Sequence, residues 1–172
     1  MNTEWLKQVE PLTVEAFAPY GRIVDVPTTK PEVTGPGWEC WYGFQHVECR
    51  WPVYLGAVAT KHRPLLVDSM ERHTFTFEYL YPHDHALIQP VGLPLQLDDE
   101  RAQPDPETVR AFLIPVGSGV IMHPGTWHSA AFPVGRDCTY GFLNMEPDFE
   151  YTPEWVNLAG NDVVRFGLQQ ES

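Results

Sequence analysis

The sequence predicts an all-β fold, a double-sheet jelly roll or small barrel. Three observations lead there. Seventeen prolines and thirteen glycines in 172 residues cut the chain into many short elements, which a helix bundle does not tolerate. Several segments alternate polar and apolar residues with the period of a half-buried strand. A composition 43% hydrophobic and 13% aromatic supplies a core, so disorder is not expected. Eight to eleven short strands in one unit over residues 1–172 fit a closed or double-sheet architecture.

The elements follow in order. Lys7 to Pro11 reads as a lead strand. Thr13 then suits an N-cap before the helical turn Val14-Glu15-Ala16-Phe17, which Pro19 and Gly21 end. Gly21 to Val26 reads as a strand, and residues 27–37 carry too many breakers to be anything but a loop. Residues 41–51 (WYGFQHVECRW) and 53–60 (VYLGAVAT) read as two strands, and 65–69 as a short one. Thr74 to Tyr81 alternates strictly, and His85 to Val91 and Leu93 to Leu97 follow. After a polar turn at 98–108 come strands at Val109 to Val116, Gly119 to Met122, Trp127 to Phe132 and Thr139 to Met145. The tail is expected to form a short helix after Pro153 and then to extend.

A net charge of −12 with no Lys/Arg run argues against nucleic acid, because phosphate binding needs a basic stripe. No window approaches eighteen consecutive apolar residues, and the N-terminus lacks a signal pattern, so no membrane association is expected. Cys40, Cys49 and Cys138 form an odd, sparse set without CxxC spacing. Reduced thiols and a cytoplasmic setting are the simplest reading.

Two segments carry chemistry. In Gly119-Val-Ile-Met-His123-Pro-Gly-Thr-Trp-His128 a strand enters a Pro-Gly turn, and His128 emerges where it can be aimed into a barrel mouth. In Glu71-Arg72-His73-Thr-Phe-Thr-Phe-Glu78, side chains five apart fall on opposite faces of a regular strand. His73 and Glu78 can then share a cavity only if a bulge near Thr74 repairs the parity; without one, Glu78 points outward. His123 could simply cap its turn. His83 and His85 read as loop residues, with His83-Asp84-His85 an alternative metal pair. Arg110 could be an ion pair with Asp105 or Glu107. Trp127, Phe75, Phe77 and Phe112 read as core, with Trp127 also a candidate pocket wall. The aromatics Trp38, Trp41, Tyr42, Phe44, Trp51 and Tyr54 suit core, pocket walls or a dimer face.

The segments Pro11 to Gly21, Met70-Glu-Arg-His73, Arg110-Ala-Phe112 and Gly119 to Phe132, in this order, resemble the ureidoglycolate lyases of the cupin superfamily. The resemblance runs with gaps over residues 9–145. It departs from that family's pattern at Glu78 (usually Gln), Ser129 (usually His), Lys61 (in place of an Arg), residues 81–85, and Leu143-Asn144-Met145. It implies a cupin-like double-sheet jelly-roll β-barrel with short peripheral helices, a homodimer, and a lyase reaction splitting ureidoglycolate into glyoxylate and urea. That reaction needs groups for two proton transfers, for which His73, Glu78 and His128 are the candidates. Arg72, Arg110, Lys61 and Trp127 are the candidates for binding a small carboxylate substrate. His73-x4-Glu78 and Pro124-Gly-x-x-His128 also fit loosely the spacing of the wider superfamily's metal ligands, with Glu71 where a first His usually stands. His73, Glu78 and His128 would suit nickel, manganese, iron or zinc; no organic cofactor is expected. The alternatives are a metal-dependent isomerase or dioxygenase acting on another small carboxylate, and a non-catalytic small-molecule-binding barrel.

Overall fold

The computed structural model describes residues 2–43, 45–145 and 154–168. In chain order the elements are β1 (Glu4–Pro11), α1 (Val14–Phe17), β2 (Gly21–Asp25), β3 (Val33–Gly35), β4 (Trp38–Cys40), β5 (Val53–Thr60), β6 (Leu66–Val67) and β7 (Ser69–Met70). There follow β8 (Glu78–Pro82), β9 (Leu87–Gly92), β10 (Arg110–Ile114), β11 (Ser118–Met122), β12 (Trp127–His128), β13 (Phe132–Pro133) and β14 (Cys138–Met145). β15 (Val156–Asn157), a 3₁₀ turn (Ala159–Asn161) and β16 (Val163–Gly167) complete the described chain.

Two sheets face each other. One runs β12-β9-β10-β1-β16-β6, with β13 also on β9; the other runs β2-β11-β8-β14-β5. Phe112 and Ile114 of the first meet Leu80, Val120, Met122 and Tyr140 of the second in one buried cluster. This is the double-sheet architecture expected from the strand pattern. A second cluster lies on the opposite face of the first sheet, where Ala111, Ile88 and Phe166 pack under Ala102 and Leu158. β9 is buried on both faces, so its sequence is continuously apolar apart from Gln89. The capped turn forms as expected, Thr13 Oγ1 accepting from Ala16 N at 3.2 Å.

Four expectations are corrected. Residues 41–51 form no strand among those described; instead Val47 and Trp51 lie over Phe77, Ile121 and Met145 on the outer face of the second sheet. Phe44 lies outside the described residues. Leu93 to Leu97 turns rather than extends, with Gln96 at φ 55. The long strand expected at Thr74 starts only at Glu78. After Pro153, itself outside the described residues, Val156–Asn157 pairs with Ser69–Met70 rather than forming a helix. Burial of Leu158 there outweighs local propensity.

Candidate functional site: a His/carboxylate cluster at the barrel mouth

Glu71 and His128 are antiparallel bridge partners, each N–H donating to the other's carbonyl at 2.9 Å. The carbonyl of His73 accepts from Gly125 N at 2.7 Å. The backbone of His73 is thus tied to the Pro-Gly turn and not to a strand ladder. Gly125 sits at φ +82, a conformation that glycine adopts without strain. The chain bends through residues 74–76 and re-enters a ladder at Glu78, which pairs with Met122 on one side and Asn144 on the other. This irregular segment replaces the bulge the sequence seemed to require and overturns the outward reading of Glu78. Phe75 is 62% exposed at the bend.

The result is a compact cluster. His73 Nε2 lies 3.4 Å from Glu78 Oε2, and His128 Nε2 lies 3.7 Å from that oxygen and 3.8 Å from Glu71 Oε1. All four side chains are largely buried. Burial is the largest influence on Glu78 and opposes its ionisation. The positive charge of His128, with the close approach of His73, nevertheless pulls its carboxyl down to about 2. Burial likewise opposes protonation of His128, but Glu78 and then Glu71 push it up to about 9. At neutral pH the metal-free pair is therefore carboxylate and imidazolium.

The cluster opens into a cavity of about 250 Å³. This lies just below the roughly 300–1,000 Å³ typical of sites for drug-sized ligands. Its walls alternate out of the strands as the pleat dictates: Glu78 and Leu80 from β8, Tyr140, Phe142 and Asn144 from β14, and Val58 from β5. Phe142 lies across Gly56, where an added Cβ would meet its ring at 2.2 Å.

The remaining wall is a β-bulge. His128 pairs with Val91 and Phe132 with Ile88, so residues 129–131 oppose only Gln89 and Pro90. Side chains satisfy the displaced carbonyls. Gln89 Nε2 donates to Ser129 O at 2.8 Å, Arg63 Nη2 to Ala130 O at 3.0 Å, and Thr60 Oγ1 to Ala131 O at 2.8 Å. Ala131 N donates to Tyr140 Oη at 3.2 Å. Bulges beside active sites re-aim side chains, and this one turns Ser129 to the cavity wall.

His73, Glu78 and His128 are also the cluster of metal-binding geometry among the described residues, their donor atoms all within 4.8 Å of one another. The side chains fit a divalent ion. His128 Nδ1 donates to Thr126 O at 3.0 Å, which leaves Nε2 facing the cluster, as a backbone carbonyl on the far nitrogen orients a ligating histidine. That Nε2 is buried and makes no hydrogen bond. Separations of 3.4 and 3.7 Å lie close to the roughly 3–3.4 Å between donors each about 2.1 Å from a shared ion.

The other expected residues lie elsewhere. Arg72 stacks over Trp127 at 4.5 Å and donates to the carbonyls of Leu95, Gln96 and Asp99. Trp127 is core and packs with Val67, Met70 and Ile88. Arg110 pairs with Glu10, a partner 100 positions away, rather than with Asp105 or Glu107. Lys61 is 79% exposed and pairs with Asp137 at 2.9 Å. His85 bonds the carbonyl of Val134, His83 packs on Tyr81, and neither joins the cluster. Reasoning from sequence did not single out Arg63, Gln89, Tyr140 or Trp155, and it marked Asn144 only as a departure from the family's pattern. For Gln89 the signal existed, as the lone polar side chain in an otherwise apolar run.

Comparison with known proteins identifies the family. The family described as ureidoglycolate lyase matches residues 6–154. A ureidoglycolate lyase of Rhodobacter capsulatus is 30% identical over 145 residues, covering 79% of this chain and 84% of that protein. One of Chelativorans sp. is 27% identical over 134 residues, covering 74% and 78%. Among solved structures, RmlC from Streptococcus suis matches at a TM-score of 0.39 and 10% identity over 55% of this chain and 44% of that one. At that level the likeness adds nothing to what the sheets show.

Proposed function

Because the chain belongs to the ureidoglycolate lyase family, we propose that it cleaves ureidoglycolate into glyoxylate and urea. The observation that carries this reading is the convergence of His73, Glu78 and His128, of which Glu78 and His128 line a cavity of about 250 Å³. The reaction moves protons and breaks one bond. The hydroxyl of the carbinolamide loses its proton, its oxygen becomes the aldehyde carbonyl as the C–N bond breaks, and the departing nitrogen gains a proton. No water is consumed. Glu78, ionised at neutral pH, accepts the hydroxyl proton, and His128, protonated there, donates to the nitrogen. The two groups lie 3.7 Å apart, so a bridging water or a small closure between them would return the proton and reset the pair.

His73, Glu78 and His128, with Glu71 alongside, would hold a divalent ion such as nickel, manganese, iron or zinc. When bound, it supplies Lewis-acid polarisation of a substrate oxygen. His128 can serve as the acid only when it is not a ligand, so the two modes differ in their response to a chelator. Arg63 is the proposed partner for the substrate carboxylate, in place of Arg72, Arg110 and Lys61. It lines an adjoining cavity of about 360 Å³ that shares Ser129, Ala130 and Trp155 with the first. Two of its five N–H donors remain after its bonds to Thr60 Oγ1, Lys61 O and Ala130 O.

A homodimer and a cytoplasmic setting belong to the same reading. The outer face of β5 exposes Leu55 by 77% and Val53 by 42%, a surface suited to a second copy, and all three cysteines are free. Of the other readings, the His/carboxylate cluster favours a metal-dependent enzyme acting on another small carboxylate.

The test is the initial rate of glyoxylate formation from ureidoglycolate by wild type and His128→Ala, each with and without chelator. Wild type is expected to turn over and His128→Ala to lose on the order of 10²–10⁴ in kcat/KM. Full activity in a folded His128→Ala protein would remove the cluster from the chemistry.

A further inference from the structure

The cavity carries two neutral polar side chains beside the charged groups, Ser129 and Asn144. Ser129 Oγ is buried and makes no hydrogen bond, its backbone fixed by the bond from Gln89 Nε2 to Ser129 O. A buried hydroxyl left without a partner costs about 1–3 kcal/mol unless something bonds it. The bulge aims Ser129 at the cavity, and its neighbour His128 belongs to the cluster. Asn144 is 4% exposed and lines the same cavity. As the cross-strand partner of Glu78, it stands beside the cluster. A carboxamide presents two donors and an acceptor, and a hydroxyl presents one donor and two acceptors.

We propose that Asn144 and Ser129 form a subsite that reads the terminal carbamoyl group, O=C–NH₂, of the substrate. The inference rests on the ureidoglycolate reading and specifies how that molecule lies in the cavity. An amide meets another amide through reciprocal N–H···O bonds without bringing a charge into a space bordered by Glu71 and Glu78. A substrate carboxylate on this wall would face those two anions. The carbamoyl end is neutral and does not. With the carbamoyl group held here, the nitrogen that departs lies on the His128 side, and the carboxylate extends past Ser129 and Trp155 toward Arg63. The hydrogen-bonding requirement makes the subsite selective. A site built to bond an N–H rejects an analogue lacking it far more strongly than an apolar pocket rejects a missing methylene.

The experiment is a binding titration of the full chain with two unreactive ligands, N-carbamoylglycine and N-acetylglycine. They share the carboxylate, the internal amide and the carbonyl, and differ in the terminal NH₂ against CH₃. Wild type is expected to bind N-carbamoylglycine about tenfold more tightly. Ser129→Ala and Asn144→Leu are expected to reduce that preference to below about twofold, with N-carbamoylglycine losing more affinity than N-acetylglycine, which makes only the carbonyl bond. Asn144→Ala removes the carboxamide without adding bulk or charge and should lose the preference as well, which carries the test if Asn144→Leu does not fold. Equal affinity of wild type for both ligands, or equal loss of both in the variants, overturns the proposal while leaving the carboxylate-binding enzyme intact. Failure of wild type to bind either ligand overturns the ureidoglycolate reading together with it.

Discussion

Replacing Glu78 by Gln removes the charge that keeps His128 protonated inside the barrel. His128 is nearly inaccessible, its side chain 5% exposed, and its Nε2 sits 3.7 Å from the Glu78 carboxylate. Burial, the largest influence, would lower its pKa below 6.5. Glu78 followed by Glu71 reverses this and raises it to about 9. A rise of that size corresponds to about 3 kcal/mol in favour of the folded imidazolium. The folded value lies above the unfolded one, so this stabilisation is complete below 6.5 and disappears as pH rises through about 9. For Glu78 the folded value lies below the unfolded one, so its contribution is complete above 4.5 and is lost as pH falls through about 2. Both describe one ion pair and count once, which places its full effect between 4.5 and 6.5. Guanidinium unfolding of wild type and Glu78→Gln, followed by tryptophan fluorescence in chelator, measures it. The variant is expected to lose about 3 kcal/mol near pH 5.5, shrinking below about 1 kcal/mol near pH 9.5. A deficit that is equal at both pH values, or larger at the higher one, would refute the buried ion pair.

Nickel or zinc added to chelator-treated protein should release about one proton per ion below about pH 9, because His128 must shed its proton to ligate. Affinity then rises with pH and levels off above that value; calorimetry in buffers of different ionisation enthalpy reads the proton count. Arg110→Ala should cost no more than about 1 kcal/mol, since its pair with Glu10 is one-third exposed on both sides. Its kcat/KM should equal that of wild type, and a tenfold loss in a folded protein would return Arg110 to the site. Gly56→Ala places a Cβ 2.2 Å from the Phe142 ring and should push that ring into the cavity, raising KM about tenfold with a smaller change in kcat. Unchanged steady-state constants would show that substrate does not occupy this space.

Local patterns made most of the strands legible. The alternation in β5, β8 and β14 survives as inward Val58, Leu80 and Phe142, and the Thr13 cap holds its turn. His73, Glu78 and His128 were legible as residue types in a metal- or acid-base-like spacing. Their meeting was not, because it depends on a carbonyl of His73 bonding Gly125, more than fifty residues away. The bulge at 129–131 was hidden for the same reason: what stabilises it comes from three separate stretches of chain, carrying Thr60 with Arg63, Gln89, and Tyr140. Arginines chosen by their proximity to the motifs went astray because Arg72 and Arg110 find partners on other faces of their strands and loops. Residues 41–51 read as a strand because they are aromatic, but they serve as a cover over an apolar outer face.

The most direct test of the central claim is a ¹³C NMR time course of ureidoglycolate with the purified full-length protein. Glyoxylate and urea are expected to appear in equal amounts from the first points, with no ammonia and no carbon dioxide. Ammonia and carbon dioxide in place of urea would mean that the carbamoyl group is hydrolysed and that the C–N bond assigned to the lyase step is not the one broken; an unchanged substrate spectrum, with and without added divalent metal, would contradict the assignment of ureidoglycolate altogether.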